Sequence, residues 1–433
     1  VSAAPPETTT PISGSPLRSR WQRLPAAWRG ALIATVALWL ATSVVLAVAA
    51  GTLPAHDPVG VDAQVGFDGW DPPPVDATGA DLIGSGLVRF DALWYLAIAA
   101  DGYPQTTEVP QAAALFPGYP IVVAGLGWLL GGRLVVAAQL VSLLACIAAL
   151  AGLARLAAMI SQTPDRPDGN GLSQRTVLVA AAFPTAFFLL APYAEAMFLA
   201  AAVWSLVHAA RGRPWLAALL VAAATLTRPV GALLVVPLLL GVVRRDPVAD
   251  GSTAETAVIA GLTRRDLVDR VVPTLGVAVA LGALLLHGWV RWGDPLAMVT
   301  AQSAWQRGLT APWSSVTWAV RFALQDLGGG STGYHLLDLL VITAALVGVV
   351  ALARVREWPL VAHAVANALL WLIQPFPSRP LLSAPRFALV VPGVVIGLAM
   401  AVRTPGRERV WLPISGALFG IHLALFTRWW FVF

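Results

Sequence analysis

The sequence predicts an all-α protein that crosses a membrane many times. Three observations predict it. Hydrophobic residues make up 58 % of the chain and charged residues only 12 %, against roughly a quarter charged in a soluble domain. Apolar runs of about 20 residues, the length of helix that spans a bilayer, recur from one end to the other. These runs lack the alternation of barrel strands, and a bilayer admits only helices or closed barrels.

Every basic side chain is Arg, none Lys, which together with abundant Ala, Gly and Pro suggests a GC-rich genome. The net charge of +5 implies no nucleic-acid partner, because Arg clusters between spans serve as cytoplasmic anchors. The single cysteine, Cys146, sits in an apolar run. It excludes an internal disulfide and reads as a small core residue.

Residues 1–27 are rich in Pro, Ser and Thr and predict a disordered cytoplasmic tail. Arg18, Arg20, Arg23 and Arg29 then lead into a first span at 28–50, read as uncleaved, with the N-terminus inside. A polar stretch from 51 to about 110 follows, the longest interruption in the chain. It contains RFDALWYLAIAADGYP (89–104), read as a short helix stopped by Gly102 and Pro104. Residues 114–130 carry two prolines and three glycines and predict a re-entrant segment, so the first extracytoplasmic loop extends over 51–133.

The remaining spans are expected at 134–157, 176–190, 195–210, a hairpin over 215–243 turning at Arg228, and 271–289. A second long extracytoplasmic loop is expected at 290–333, followed by spans at 336–353, 358–373, 387–402 and 410–426. This gives about eleven transmembrane helices with short interfacial helices in the two long loops. It also places Arg155, Arg175, Arg211, Arg213, Arg354, Arg356, Arg403, Arg407 and Arg409 on the inner side.

The outer side then collects Asp91, Asp101, Glu195, Arg228, Asp294, Arg307, Arg379 and Arg386. An ionised side chain at membrane depth costs about 2.5–3.5 kcal/mol on insertion scales and tends to be paired or functional. Each candidate has two readings. Asp91 caps a helix, or it shares a face with Tyr95 and takes a proton from an acceptor hydroxyl. Glu195 is an acid favoured by a helix dipole, or a second acid facing the site. Arg228 and Arg386 grip a phosphate with their planar forks, or they are structural partners of the outer acids. Tyr193, beside Glu195, is a further substrate-binding candidate. Trp94, Trp305 and Trp313 are belt or core residues by default, or stacking platforms for a sugar.

Absences narrow the chemistry. The chain has neither a G-x-x-x-x-G-K-[ST] loop nor a G-x-G-x-x-G turn. Its six histidines are scattered and suggest no zinc site. No cofactor is implied, and a divalent metal stays open. A reaction at the outer face therefore points to a donor delivered in the membrane.

FDALWYLAIAADGYP, LFPGYPIVV, PTAFFLLAPYAEAMFLA, LTRPVGALLVVP, WGDPLAMVTAQ, SAPRF and the terminal FTRWWFVF together resemble the PIG-V type mannosyltransferases, the family of GPI mannosyltransferase II and its bacterial, here actinobacterial, relatives. The pieces run in family order from 90 to 433. Phe90 stands where the family usually has Trp, and Arg428 where it often has Gln. The resemblance implies a GT-C fold over 28–433 in the plasma membrane, with an extracytoplasmic active site. It implies inverting transfer of mannose from a polyprenyl-phosphate mannose donor to an envelope lipid or glycan acceptor. Asp91 would be the general base or acceptor-binding acid, and Glu195 the second acid. Arg228 and Arg386 are candidates for the donor phosphate, and Tyr95, Trp94, Tyr193, Asp294 and Arg307 for substrate. The alternative is a transporter or flippase of a lipid-linked saccharide, which predicts internal symmetry and charges near the midplane. Charges gathered at outer loops favour the enzyme.

Overall fold

The computed structural model describes residues 23–54, 84–104, 110–161, 169–241, 264–305, 308–327 and 334–430. Most of the expected N-terminal tail, residues 55–83 of the first loop, and Arg307 lie outside them.

The described residues are helical, with a lone bridge between Phe376 and Arg379. Five helices are long and apolar enough to cross a membrane. In chain order the helices are α1 (Ala26–Thr52), α2 (Asp91–Asp101), α3 (Pro110–Ala113), α4 (Gly118–Leu129), α5 (Leu134–Ser161), α6 (Gly169–Ala181), α7 (Glu195–Ala210) and α8 (Pro214–Thr227). Then come α9 (Val235–Leu240), α10 (Arg264–Trp292), α11 (Ala297–Thr300), α12 (Pro312–Leu327), α13 (Tyr334–Arg354), α14 (Trp358–Leu372), α15 (Ala384–Leu389), α16 (Pro392–Ala401) and α17 (Pro405–Thr427). The long ones are α1, α5, α10, α13 and α17.

Two expected spans are broken, each at a proline, and the return leg of the expected hairpin begins as a 3-10 turn. The span expected at 176–190 ends as helix at Ala181, before Pro184, and continues as a 3-10 turn at Ala186–Leu189. The span expected at 387–402 is two pieces, α15 and α16, divided where Pro392 lacks an N–H to donate. The hairpin expected at 215–243 is α8, an extended Arg228, a 3-10 turn at Pro229–Leu234 and α9. Within the second long loop α12 forms, burying Ser315, Ala319 and Ala323 at four-residue spacing on one face. At 12 residues, α4 is about 18 Å long, short of the roughly 30 Å apolar layer.

Successive helices run up and down, so the chain has two distinct ends. Arg175, Arg211, Arg213, Arg354, Arg356, Arg403 and Arg407 cluster where α5 gives way to α6, α7 to α8, α13 to α14 and α16 to α17. The opposite end holds α2, the start of α7, the end of α8, α15 and the end of α17. It is stitched by long-range bonds. Arg89 Nε donates to Thr427 O (3.3 Å), Arg428 Nε to Leu53 O (3.0 Å), and Trp292 Nε1 to Pro104 O (2.9 Å).

Small residues set the close approaches. A Cβ added to Gly348 would lie 2.6 Å from Val394 O and 2.9 Å from Leu398 N, so α13 and α16 touch backbone to backbone. Gly348→Ala should therefore force these helices apart and cost about 1–3 kcal/mol. The measurement is the unfolding midpoint in detergent, and an unchanged midpoint would contradict this packing.

Candidate functional site

Four charged side chains meet at the end opposite the Arg clusters. They come from positions as far apart as 91 and 386. Asp91 is the first residue of α2, and Glu195 the first of α7. Arg228 is the extended residue that closes α8, and Arg386 lies in the last turn of α15. Both acids thus sit where a helix dipole favours negative charge.

Arg386 Nη1 donates to Asp91 Oδ2 at 2.7 Å. Its Nε lies 3.1 Å from Glu195 Oε1, an ion-pair distance without the alignment of a hydrogen bond. Glu195 Oε1 also accepts from Arg228 Nη1. The order Asp91–Arg386–Glu195–Arg228 is an unbroken alternation of charge. Aromatic faces cover the cations. The Arg386 guanidinium lies 5.2 Å from the Phe387 ring centre, 5.3 Å from Phe188 and 5.5 Å from Tyr193. Arg228 lies 4.8 Å from Phe387.

Exposure separates the four. The Asp91 side chain keeps 24 % of its surface open, Arg228 11 %, Arg386 9 % and Glu195 none. Glu195 is held beneath the two arginines, and its Oε2 has no hydrogen-bond partner among the described residues. Asp91 is therefore the acid an incoming molecule reaches first.

Backbone geometry aims these groups. Phe90, the residue before α2, has φ 51° and ψ −120°. This conformation is rare for a residue with a side chain and costs about 1–3 kcal/mol. Its ring packs against Phe426 and Trp429, at 5.4 and 5.3 Å. Phe90 holds the N-cap position and Asp91 follows it, so the expected capping role of Asp91 is replaced by its ion pair with Arg386. Ser383 has φ 66° and performs the same reorientation before α15. The Thr185 hydroxyl donates to Pro385 O at 3.1 Å and fixes that short helix.

Arg89 was not singled out by the sequence, yet its residue has no exposed surface. It donates to Ser85 O, Val88 O and Thr427 O, and its guanidinium lies 4.9 Å from the Trp429 ring centre. Its own carbonyl accepts from Tyr193 Oη at 2.7 Å. Burial, then the nearby Arg428, lower its pKa to about 10, while Tyr193 works the other way. The arginine stays charged at neutral pH and locks the loop beneath Asp91. Its signal was its place next to Phe90 and Asp91 in an otherwise apolar stretch.

Tyr95 and Tyr193 are buried and lie with ring centres 6.3 Å apart, and Tyr95 is 5.2 Å from Tyr119. They wall the acid cluster from the core side. Trp94 is 5 % exposed within the core. That burial corrects the expectation of a ring displayed to a sugar. Asp294 is exposed, and one of its carboxylate oxygens accepts from Leu296 N at 2.8 Å, closing a turn. Asp101 is exposed at the end of α2. Trp313 is 71 % exposed.

Arg379 belongs to a neighbouring pair. Its Nε and Nη2 donate to the two carboxylate oxygens of Asp338, both at 2.7 Å, and both residues are buried. The sequence offered a clue in Asp338, a single acid inside the apolar run 336–353. Beside it, His335 Nδ1 lies 3.2 Å from Asp326 and Nε2 lies 3.0 Å from Ser378 O. These contacts fix the segment that leads into α15. Among the described residues no three His, Cys, Asp or Glu side chains are grouped to hold a metal ion.

No family model matches the chain. No curated protein matches it. Two crystal structures of the Archaeoglobus fulgidus oligosaccharyltransferase are partly similar. The form tethered to an acceptor peptide containing the NVT sequon has a TM-score of 0.43 and 10 % identity, over 92 % of this chain and 55 % of that one. The complex with Zn and sulfate has a TM-score of 0.34 and 12 % identity, over 74 % of this chain and 44 % of that one. This chain thus spans about half the length of those structures. Likeness at these TM-scores decides neither fold family nor activity.

The Asp338–Arg379 pair should carry stability rather than chemistry. Arg379→Met strands a buried carboxylate and should cost about 3–5 kcal/mol. The double variant Asp338→Leu/Arg379→Met should recover much of that loss, as read from unfolding in detergent.

Proposed function

We propose that this chain is a membrane-embedded glycosyltransferase of the GT-C type, acting at the extracytoplasmic face of the plasma membrane. In this reading it transfers mannose, with inversion, from a polyprenyl-phosphate mannose to an envelope lipid or glycan acceptor. The observation that carries it is the charge chain, in which one partly open carboxylate, Asp91, is joined directly to Arg386 and, through Arg386 and the enclosed Glu195, to Arg228. The ordered resemblance to PIG-V type mannosyltransferases supports the choice of sugar and donor. The five long apolar helices supply the setting in which a lipid-borne donor can lie beside the reacting groups. The clustering of Arg at the opposite end supports an outward-facing site.

The chemistry follows from the geometry. An acceptor hydroxyl approaches the anomeric carbon on the face away from the phosphate, and Asp91 takes its proton. A new C–O bond forms as the bond from the anomeric carbon to the phosphate oxygen breaks, and the phosphate keeps the electron pair. Arg386 and Arg228 balance the charge that grows there, so the leaving group needs positive charge rather than a proton donor. Arg386 carries Asp91 on one nitrogen and faces Glu195 with another. A phosphate on Arg386 would compete with Asp91 and loosen it for proton transfer. Glu195 has no exposed surface and serves as a positioning residue that holds both arginines at one place. Tyr95 and Tyr193 form the wall behind the reacting groups, and Trp94 supports it from the core.

Asp91→Asn removes the base while keeping an oxygen that can accept from Arg386. It should lower kcat by about 10²–10⁴-fold in protein that remains folded in detergent, with a lowered unfolding midpoint because Arg386 loses one of its two acids. The assay uses the purified chain, labelled polyprenyl-phosphate mannose and an envelope lipid extract. Wild-type rates in the variant would overturn the assignment of Asp91. Absence of transfer, with movement of a lipid-linked saccharide across vesicles, would replace the enzyme with a transporter.

A further inference from the structure

The other end of the bundle carries a second site. A cavity of about 1380 Å³ opens there between α6, α13, the end of α16 and α17. It exceeds the roughly 300–1,000 Å³ of pockets that take drug-sized ligands. It is remote from the charge chain. From Arg407, on its rim, to Thr427, which binds Arg89 beside Asp91, α17 rises about 30 Å.

The lining divides into two kinds of surface. Four arginines, Arg175, Arg354, Arg403 and Arg407, contribute to it, and no acidic residue does. Among the described residues none of the four is paired with a carboxylate. Arg407 Nη1 donates only to the Ala401 carbonyl, at 3.0 Å. The walls away from the arginines are apolar and half open. Leu346 is 60 % exposed, Val410 61 % and Ile414 54 %. Trp411 lies in the same lining, and its buried Nε1–H has no acceptor among the described residues.

We propose that this cavity binds an anionic phospholipid of the inner leaflet, with its phosphodiester among the arginines and its acyl chains along α13 and α17. The charge complementarity is direct: several guanidinium groups with no carboxylate partner among the described residues meet at one mouth, which suits a phosphate. The apolar walls continue onto helix faces that meet the bilayer, as a chain-bearing ligand requires. The Trp411 ring adds to the apolar part of the lining, as indoles near a membrane interface commonly do. This lipid is a resident component of the fold, separate from any donor or acceptor at Asp91.

The test uses the full chain in detergent, titrated with phosphatidylglycerol or phosphatidylcholine and followed by native mass spectrometry. The wild type should retain phosphatidylglycerol about tenfold better than phosphatidylcholine. Arg354→Gln/Arg403→Gln/Arg407→Gln changes three exposed side chains and should abolish that preference. Arg213→Gln/Arg356→Gln/Arg409→Gln removes the same charge from exposed residues outside the cavity and should keep it. Val347→Trp fills the cavity with its arginines intact and should weaken retention of both lipids. Preference kept by the first triple variant, or lost equally in the second, would overturn the site. Displacement of phosphatidylglycerol by a stoichiometric amount of polyprenyl phosphate would overturn the phospholipid assignment.

Discussion

The arrangement depends on one guanidinium shared between two acids. Arg386 reaches Asp91 with Nη1 and Glu195 with Nε, and Glu195 in turn holds Arg228. The helices bearing Glu195 and Arg228 have 16 and 14 residues, about 24 and 21 Å. Both are shorter than the roughly 30 Å apolar layer. In the proposed orientation, with Arg211 and Arg213 at the inner interface, the tips of α7 and α8 would lie within that layer rather than above it. Charges at such depth are tolerable only when they neutralise one another. Two acids and two arginines do so, helped by the N-terminal dipoles of α2 and α7 and by the faces of Phe188, Tyr193 and Phe387. Much of the long-range order follows, because residues nearly 300 positions apart must converge within hydrogen-bond distance.

That convergence is held by backbone that would not adopt its shape alone. Phe90 and Ser383 both have positive φ, and each immediately precedes a short helix that carries a charge of the chain. Positive φ turns the chain sharply, so the following helix starts in a direction the preceding segment does not dictate. The strain is offset by packing: the Phe90 ring is caught between Phe426 and Trp429, and Arg89 beside it makes three bonds to carbonyls. Tyr193 closes the loop, bonding to the Arg89 carbonyl while its ring faces Arg386. The C-terminal end of α17 is thus built into the floor beneath Asp91.

The helical nature of the chain, most helix starts and the short helix over Asp91 were readable from hydropathy and from Gly and Pro signals. α7 begins at Glu195 and α2 stops before Gly102 as those signals imply. Helix continuity was less readable. Window hydropathy is blind to hydrogen bonding, so 176–190 and 387–402 look like single spans although Pro184 and Pro392 break them. In the site, the four charged residues and their gathering at one end were readable, but their pairing was not. Asp91 and Glu195 have the same signature at a helix start, yet one is partly open and the other enclosed. That difference arises from which arginine crosses over each, a tertiary fact with no local trace. Trp94 shows the converse. Its residue type suits a sugar, but it is drawn into the core.

Arginine plays opposite parts at the two ends. Where Asp91 and Glu195 stand, Arg386 is buried and Arg228 largely enclosed, and each is carboxylate-bound and faces an aromatic ring, so its orientation is set before any ligand arrives. Such a group loses little freedom on meeting a phosphate, which suits a reaction that needs fixed positive charge. Around the cavity at the other end, Arg354, Arg403 and Arg407 are exposed and unopposed by acids among the described residues. Their side chains can follow a mobile headgroup, and their charge adds to the attraction of an anionic leaflet. The apolar layer between the ends keeps the two populations from neutralising each other. The same residue type is therefore held rigid at one end, as the proposed reaction needs, and left adaptable at the other, as the proposed lipid needs. The difference lies in the acids placed beside it.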